Sequence, residues 1–191
     1  MICGLDEAGR GPLAGPVCAA AVILPADFPV SGLNDSKKLS AAAREKAAML
    51  IRNNSFSWGL GWASHTEIDE LNILKASLLA MRRAFLEMLE KIPGKLSQYT
   101  DAVRETVVDG LYVPDIPAPC RALVRADGQI PAVMAASILA KTARDAEMCR
   151  LAALYPLYRY DKHKGYPTKE HRELIIRYGP SPVQRLSFTV R

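Results

Sequence analysis

Four acids fall where short apolar runs stop. Asp6 and Glu7 follow residues 2–5, Asp109 follows residues 106–108, and Asp127 lies just past residues 121–124. Carboxylates at the ends of neighbouring strands can aim at one point above a sheet, where they repel. Two unit charges about 4 Å apart cost roughly 4 kcal/mol at an effective dielectric near 20. A divalent cation removes that repulsion, and an all-oxygen ligand set selects Mg²⁺ or Mn²⁺ rather than zinc. On spacing alone, a plainer reading stands beside this one, in which each acid is an ordinary turn residue.

Gly9-Arg10-Gly11 follows the acids directly. It is no dinucleotide fingerprint, because Pro12, Gly15 and Pro16 come next and then a β-branched run, so no helix opens. A tight turn whose backbone approaches a sugar or phosphate is one reading, and a plain hairpin turn is the other. Ser137, Lys141 and Arg144 are spaced by four and three, which puts them on one helix face able to hold phosphates. A solvated face partnered by Asp145 and Glu147 fits equally. Lys37-Lys38 reads as a basic contact or a solvated turn. Lys162-His163-Lys164-Gly165-Tyr166 interleaves cations with a ring, a pattern suited to stacking beside phosphates. The three histidines form neither a metal set nor part of a Ser-His-Asp triad.

The elements that must position these groups alternate in type. Strands are predicted over residues 2–6, 17–24, 55–63, 105–110 and 121–124. Phe56, Trp58, Leu60 and Trp62 share one side of the third, which reads as half-buried. Helices are predicted over 40–53 and from the capping box at Ser64 and Glu67 through to Pro93-Gly94, the latter as one long amphipathic element. Two more are predicted over 131–154 and 168–178. In the 131–154 helix, Ala136, Leu139, Ala140 and Ala143 are the predicted core stripe. This order predicts an α/β protein with a mixed sheet flanked by helices, a single domain over 1–191 with residues 155–191 as a C-terminal helical cap.

Composition excludes other classes. The 191 residues are 49% hydrophobic and 24% charged, which rules out a disordered or fibrous chain. A net charge of +5 permits a polyanion partner without demanding one. Cys3, Cys18, Cys120 and Cys149 form no C-x-x-C pair and read as buried, reduced thiols. The longest apolar run is too short to span a bilayer and no signal peptide is visible, so a cytoplasmic protein with no membrane association is expected.

Five ordered segments resemble one family. Residues 6–17, which run Asp-Glu-Ala-Gly-Arg-Gly-Pro-Leu-Ala-Gly-Pro-Val, resemble the opening signature of bacterial ribonuclease HII. The remaining four are residues 33–39, Val108-Asp109-Gly110, residues 135–141 with Arg144-Asp145, and residues 163–168. The likeness extends to Arg185-Leu186-Ser187-Phe188. It departs at Leu111, where relatives often carry Asn, and at Leu186, where a basic residue is common.

The resemblance implies a ribonuclease H-like fold and hydrolysis of the RNA strand of RNA–DNA hybrids. Cleavage 5′ of single ribonucleotides in duplex DNA, leaving 5′-phosphate and 3′-hydroxyl, is implied with it. Asp6, Glu7, Asp109 and Asp127 would then bind two Mn²⁺ or Mg²⁺ ions. Gly9, Arg10, Gly11, Lys38, Ser137, Lys141, Arg144 and Tyr166 would contact a hybrid or ribonucleotide-containing DNA, and the protein would act as a monomer. The competing functions are a non-catalytic nucleic-acid binder and a nuclease of the same fold acting on DNA junctions.

Overall fold

The computed structural model describes residues 1–33, 39–92 and 103–190. Its sheet has five strands, β1 (Ile2–Ala8), β2 (Val17–Ile23), β3 (Ser57–Ala63), β4 (Glu105–Asp109) and β5 (Cys120–Leu123), in the order β3-β2-β1-β4-β5. The first three form an antiparallel meander, whereas β4 and β5 run parallel to β1. Antiparallel neighbours need only short links. A parallel partner needs a crossover, and the helices between β3 and β4 provide it.

Those helices are α2 (His65–Leu71) and α3 (Ile73–Glu90), on one face of the sheet. The opposite face is covered by α1 (Ala41–Asn54) and α4 (Pro131–Leu154). Cys3, Leu5, Ala19, Ala21 and Ile23 pack on Ala80, Ala84, Phe85 and Met88 of α3. Ala20 and Val22, one residue out of phase, pack on Ala48, Ile51, Ala136 and Leu139 of α1 and α4. Strand alternation thus divides the core into two layers. The C-terminal part adds α5 (Tyr160–His163) and α6 (Lys169–Tyr178) before the chain returns to pair Gln184 with Ala14.

Two expectations, on the long helix and on the cysteines, need correction. The long helix from Ser64 is two helices, broken at Asn72 (φ 72°), whose side chain accepts from the Leu74 and Lys75 amides and so caps α3. Both helices bury the same side, so the apolar spacing runs through the break and conceals it. The reading of β3 as a half-buried strand holds, with the Trp58, Leu60 and Trp62 side partly exposed. The deeply buried side is Ser57, Gly59, Gly61 and Ala63. There, a Cβ on Gly61 would lie 2.0 Å from the Ala80 carbonyl oxygen, so α3 packs at backbone distance. The cysteines are free, but only Cys3 and Cys18 are buried; Cys120 is half-buried and Cys149 exposed.

Candidate active site

The β1–β4 pairing ends with Leu5 opposite Val108, so the next step along both strands sets Asp6 beside Asp109. Two residues past β5, the chain enters a left-handed turn at Arg125 and a short 3₁₀ turn, Ala126–Gly128, that carries Asp127. The Ala126 amide donates to Asp109 Oδ1 at 2.8 Å, which ties that turn to the end of β4. As a result Asp6, Asp109 and Asp127 each offer a carboxylate oxygen within 4.8 Å of the others. Glu7 stands outside this trio. Successive residues of a strand point to opposite faces, so Asp6 turns to α4, where it meets the Ser137 hydroxyl, and Glu7 turns toward Leu78 and Met81 of α3.

Burial, then the charges of Glu7 and Asp109, raise the Asp6 carboxyl well above the usual range; its bond to Ser137 works the other way. Burial also raises Glu7, opposed by the charge and hydrogen bond of Arg10, whose Nη1 lies 3.2 Å from Glu7 Oε1. The other carboxylate oxygen, Glu7 Oε2, is buried with no hydrogen-bond partner among the described residues. Clustered acids whose ionised forms are disfavoured, with an orphaned buried oxygen beside them, fit a divalent cation as the missing counter-charge.

Asp6, Glu7 and Asp109 floor a cleft of about 250 Å³ walled by Gly9, Arg10, Gly11, Ser137, Lys141 and Tyr166. Gly9 has φ +102°, and a Cβ there would sit 1.9 Å from Arg144 Nε, so the turn requires glycine at this position. Tyr166 is 37% exposed and its ring faces Gly11. Two histidines hold its backbone: His171 Nδ1 lies 3.0 Å from the Tyr166 carbonyl, and His163 Nδ1 accepts from the Gly165 amide. Their rings stack at 4.3 Å. Burial lowers both, His171 to about 4, so the rings are neutral at neutral pH.

The basic residues divide. Lys141 reaches the cleft, 5.7 Å from the Tyr166 ring centre, while pairing with Asp145 at 2.7 Å. Arg144 does not line it. Its guanidinium is 1% exposed and donates to the carbonyls of Pro16, Ala14 and Lys164. The four-and-three spacing correctly put Arg144 in line with Lys141, but α4 sinks into the protein one turn further on. Lys38 lies outside the described residues. Sequence reasoning gave no role to Arg185, which is fully buried beneath the Gly-rich turn. Its only sequence signal was its membership of the C-terminal matching segment.

A mixed sheet whose adjacent central strands gather carboxylates under a Gly-rich turn defines the class: a ribonuclease H-like phosphodiester hydrolase. The family description that matches, over residues 3–191, is Ribonuclease HII. A Ribonuclease HII of Treponema denticola is 52% identical, with the match covering 100% of this chain and 99% of that protein. Among solved structures, the ribonuclease H2 of Pyrococcus horikoshii OT3 superposes with a TM-score of 0.71 at 25% identity, covering 99% of this chain and 94% of that one. Bst-RNase HIII, solved in complex with Mn²⁺, gives 0.79 at 20% identity, covering 99% and 67%. The chain belongs to the ribonuclease HII family, whose members are divalent-metal-dependent endoribonucleases. Among the described residues, no helix is long and apolar enough to cross a membrane.

Proposed function

We propose that this chain cleaves the RNA strand of RNA–DNA hybrids, and DNA 5′ of a single ribonucleotide, leaving 5′-phosphate and 3′-hydroxyl ends. The observation that carries the reading is the trio of carboxylates within 4.8 Å, two of which, Asp6 and Asp109, line the cleft. A pure nucleic-acid binder has no reason to bury acids where phosphates must approach. Asp6, Glu7, Asp109 and Asp127 would hold Mg²⁺ or Mn²⁺, two ions in the fullest form of the reading. When bound, the metal supplies Lewis-acid stabilisation of the entering and leaving oxygens. The chain's own residues do the rest. Ser137 orients Asp6 by hydrogen bonding. Lys141 meets a phosphate, and the turn at Gly9, Arg10 and Gly11 approaches the ribose because neither glycine carries a side chain. Tyr166 stacks on the sugar of the following nucleotide and so helps distinguish RNA from DNA.

The reading takes residues 1–191 as one catalytic domain, with 155–191 as the cap that brings Tyr166 to the cleft, acting as a monomer in the cytoplasm. The deciding experiment incubates the protein with Mg²⁺ or Mn²⁺ and a DNA duplex bearing one ribonucleotide. A cut on its 5′ side is the expected result. Binding without cutting would mean a non-catalytic binder, and cutting of all-DNA junctions would mean a DNA nuclease of the same fold.

A further inference from the structure

Arg185 and Arg144 lie side by side beneath the Gly-rich turn, and between them they occupy nearly all its carbonyls. Arg185 is 0% exposed. Its guanidinium donates to the carbonyls of Gly9 (2.7 Å), Arg10 (3.0 Å), Pro12 (2.8 Å), Gly15 (2.9 Å) and Pro16 (3.2 Å), and its amide donates to that of Leu13. Arg144 takes the carbonyl of Ala14 and shares that of Pro16. Seven of the eight carbonyls from Gly9 to Pro16, all but that of Gly11, are thus held from below, six by the two side chains and that of Leu13 by the Arg185 amide. Among the described residues no carboxylate pairs with either arginine. Burial, with Arg144 close by, lowers Arg185 to about 9, so it still carries its charge at neutral pH.

A trans peptide points its N–H opposite to its C=O. When Arg185 draws the Gly9 and Arg10 carbonyls inward, the amides of Arg10 and Gly11 are turned the other way, on the stretch of turn that walls the cleft. Arg144 also donates to the Lys164 carbonyl, and the Leu13 amide donates to Gly165, so the turn and the tyrosine loop form one body. The segment carrying Arg185 is pinned in its turn by Asp69 of α2, which accepts from the Leu186 and Ser187 amides and the Ser187 hydroxyl.

We infer that Arg185, anchored through Asp69 and seconded by Arg144, is a positioning residue that aims the amide edge of the Gly9–Gly11 turn at the substrate and so sets ribonucleotide selectivity. The inference rests on the proposed reading that this turn contacts the ribose. Arg185 touches no substrate itself. Its planar fork serves several carbonyls at once, which a lysine ammonium cannot do from the same place. The phosphate-contact role that helix spacing gave Arg144 becomes a scaffolding role.

The test uses the full chain with Arg185→Lys and, because that variant could fail to fold, Asp69→Ala, which loosens the same segment from a half-buried position. Three constants are measured: Mn²⁺ affinity of the protein alone, KM for a duplex with one ribonucleotide, and Ki of the matching all-DNA duplex as competitor. Arg185→Lys is expected to raise KM about tenfold or more, with Ki and Mn²⁺ affinity within about twofold of wild type. Asp69→Ala should shift KM in the same direction by less. Folded variants that keep the wild-type ratio of KM to Ki, or that lose all three constants together, overturn the positioning role. A wild type with equal KM and Ki would instead overturn the reading of the cleft on which the inference stands.

Discussion

Asp6 and Glu7 are neighbours in sequence yet meet different surroundings, because a strand sends them to opposite faces. Asp6 joins Asp109 and Asp127, while Glu7 is left with one oxygen on Arg10 and one with no hydrogen-bond partner among the described residues. If these acids wait for a cation, metal and stability must be linked. Wild-type protein at a Mn²⁺ concentration a hundredfold above its dissociation constant should gain about 3 kcal/mol against unfolding. Asp6→Asn should lose most of that gain yet be at least as stable as wild type without metal, since one of the repelling charges is gone. Thermal melts with and without Mn²⁺ measure both, and equal gains in the two proteins would argue against a metal site here. On the cleft's other wall, Tyr166→Ala should weaken binding of a ribonucleotide-containing duplex by about 1–3 kcal/mol relative to all-DNA duplex. Lys141→Ala should weaken every duplex alike and lower the salt slope by about 1. Binding isotherms over a salt series separate the two; a Tyr166→Ala variant that keeps its preference would make the ring structural.

At the level of elements, small residues decide how close the layers come. The aromatic spacing of β3 drew attention to its larger side chains, yet the strand lies against α3 through Gly59 and Gly61. Gly61→Ala should therefore destabilise the fold by about 3 kcal/mol, because the new methyl meets backbone that cannot yield; chemical denaturation checks it. The tyrosine loop hangs on α5 and α6 through His163 and His171. His171 titrates near 4 when folded and near 6.5 when unfolded, so below about pH 6.5 the unfolded chain takes up its proton first. Stability is thus lost as pH falls from about 6.5 toward about 4. Between about pH 7 and about pH 5 the loss from this residue is on the order of 2 kcal/mol. Asp6 and Glu7, raised in the fold, push the other way, so the clean measure is wild type minus His171→Phe across that range. A difference that does not change with pH would mean that the ring is not held neutral.

For the molecule as a whole, what could be read from sequence followed how far apart the interacting residues lie. Strand ends, the capping box at Ser64 and Glu67, and the bounds of α4 and α6 are local, and the sequence showed them. The break at Asn72 stayed hidden because two helices sharing one buried side look like one. Arg185 stayed hidden because its partners lie 169 to 176 residues away, and no spacing rule spans that distance. The acid trio fell between these cases: each member was visible as a strand-end acid, but its convergence required the parallel pairing of β1 with β4. In the proposed function this convergence performs the hydrolysis. The most direct test is the rate at which Asp109→Asn cuts a DNA duplex bearing one ribonucleotide at saturating Mn²⁺, beside wild type. A folded variant slower by about a thousandfold or more is predicted; a folded variant cutting within about tenfold of wild type would contradict a hydrolytic role for the trio.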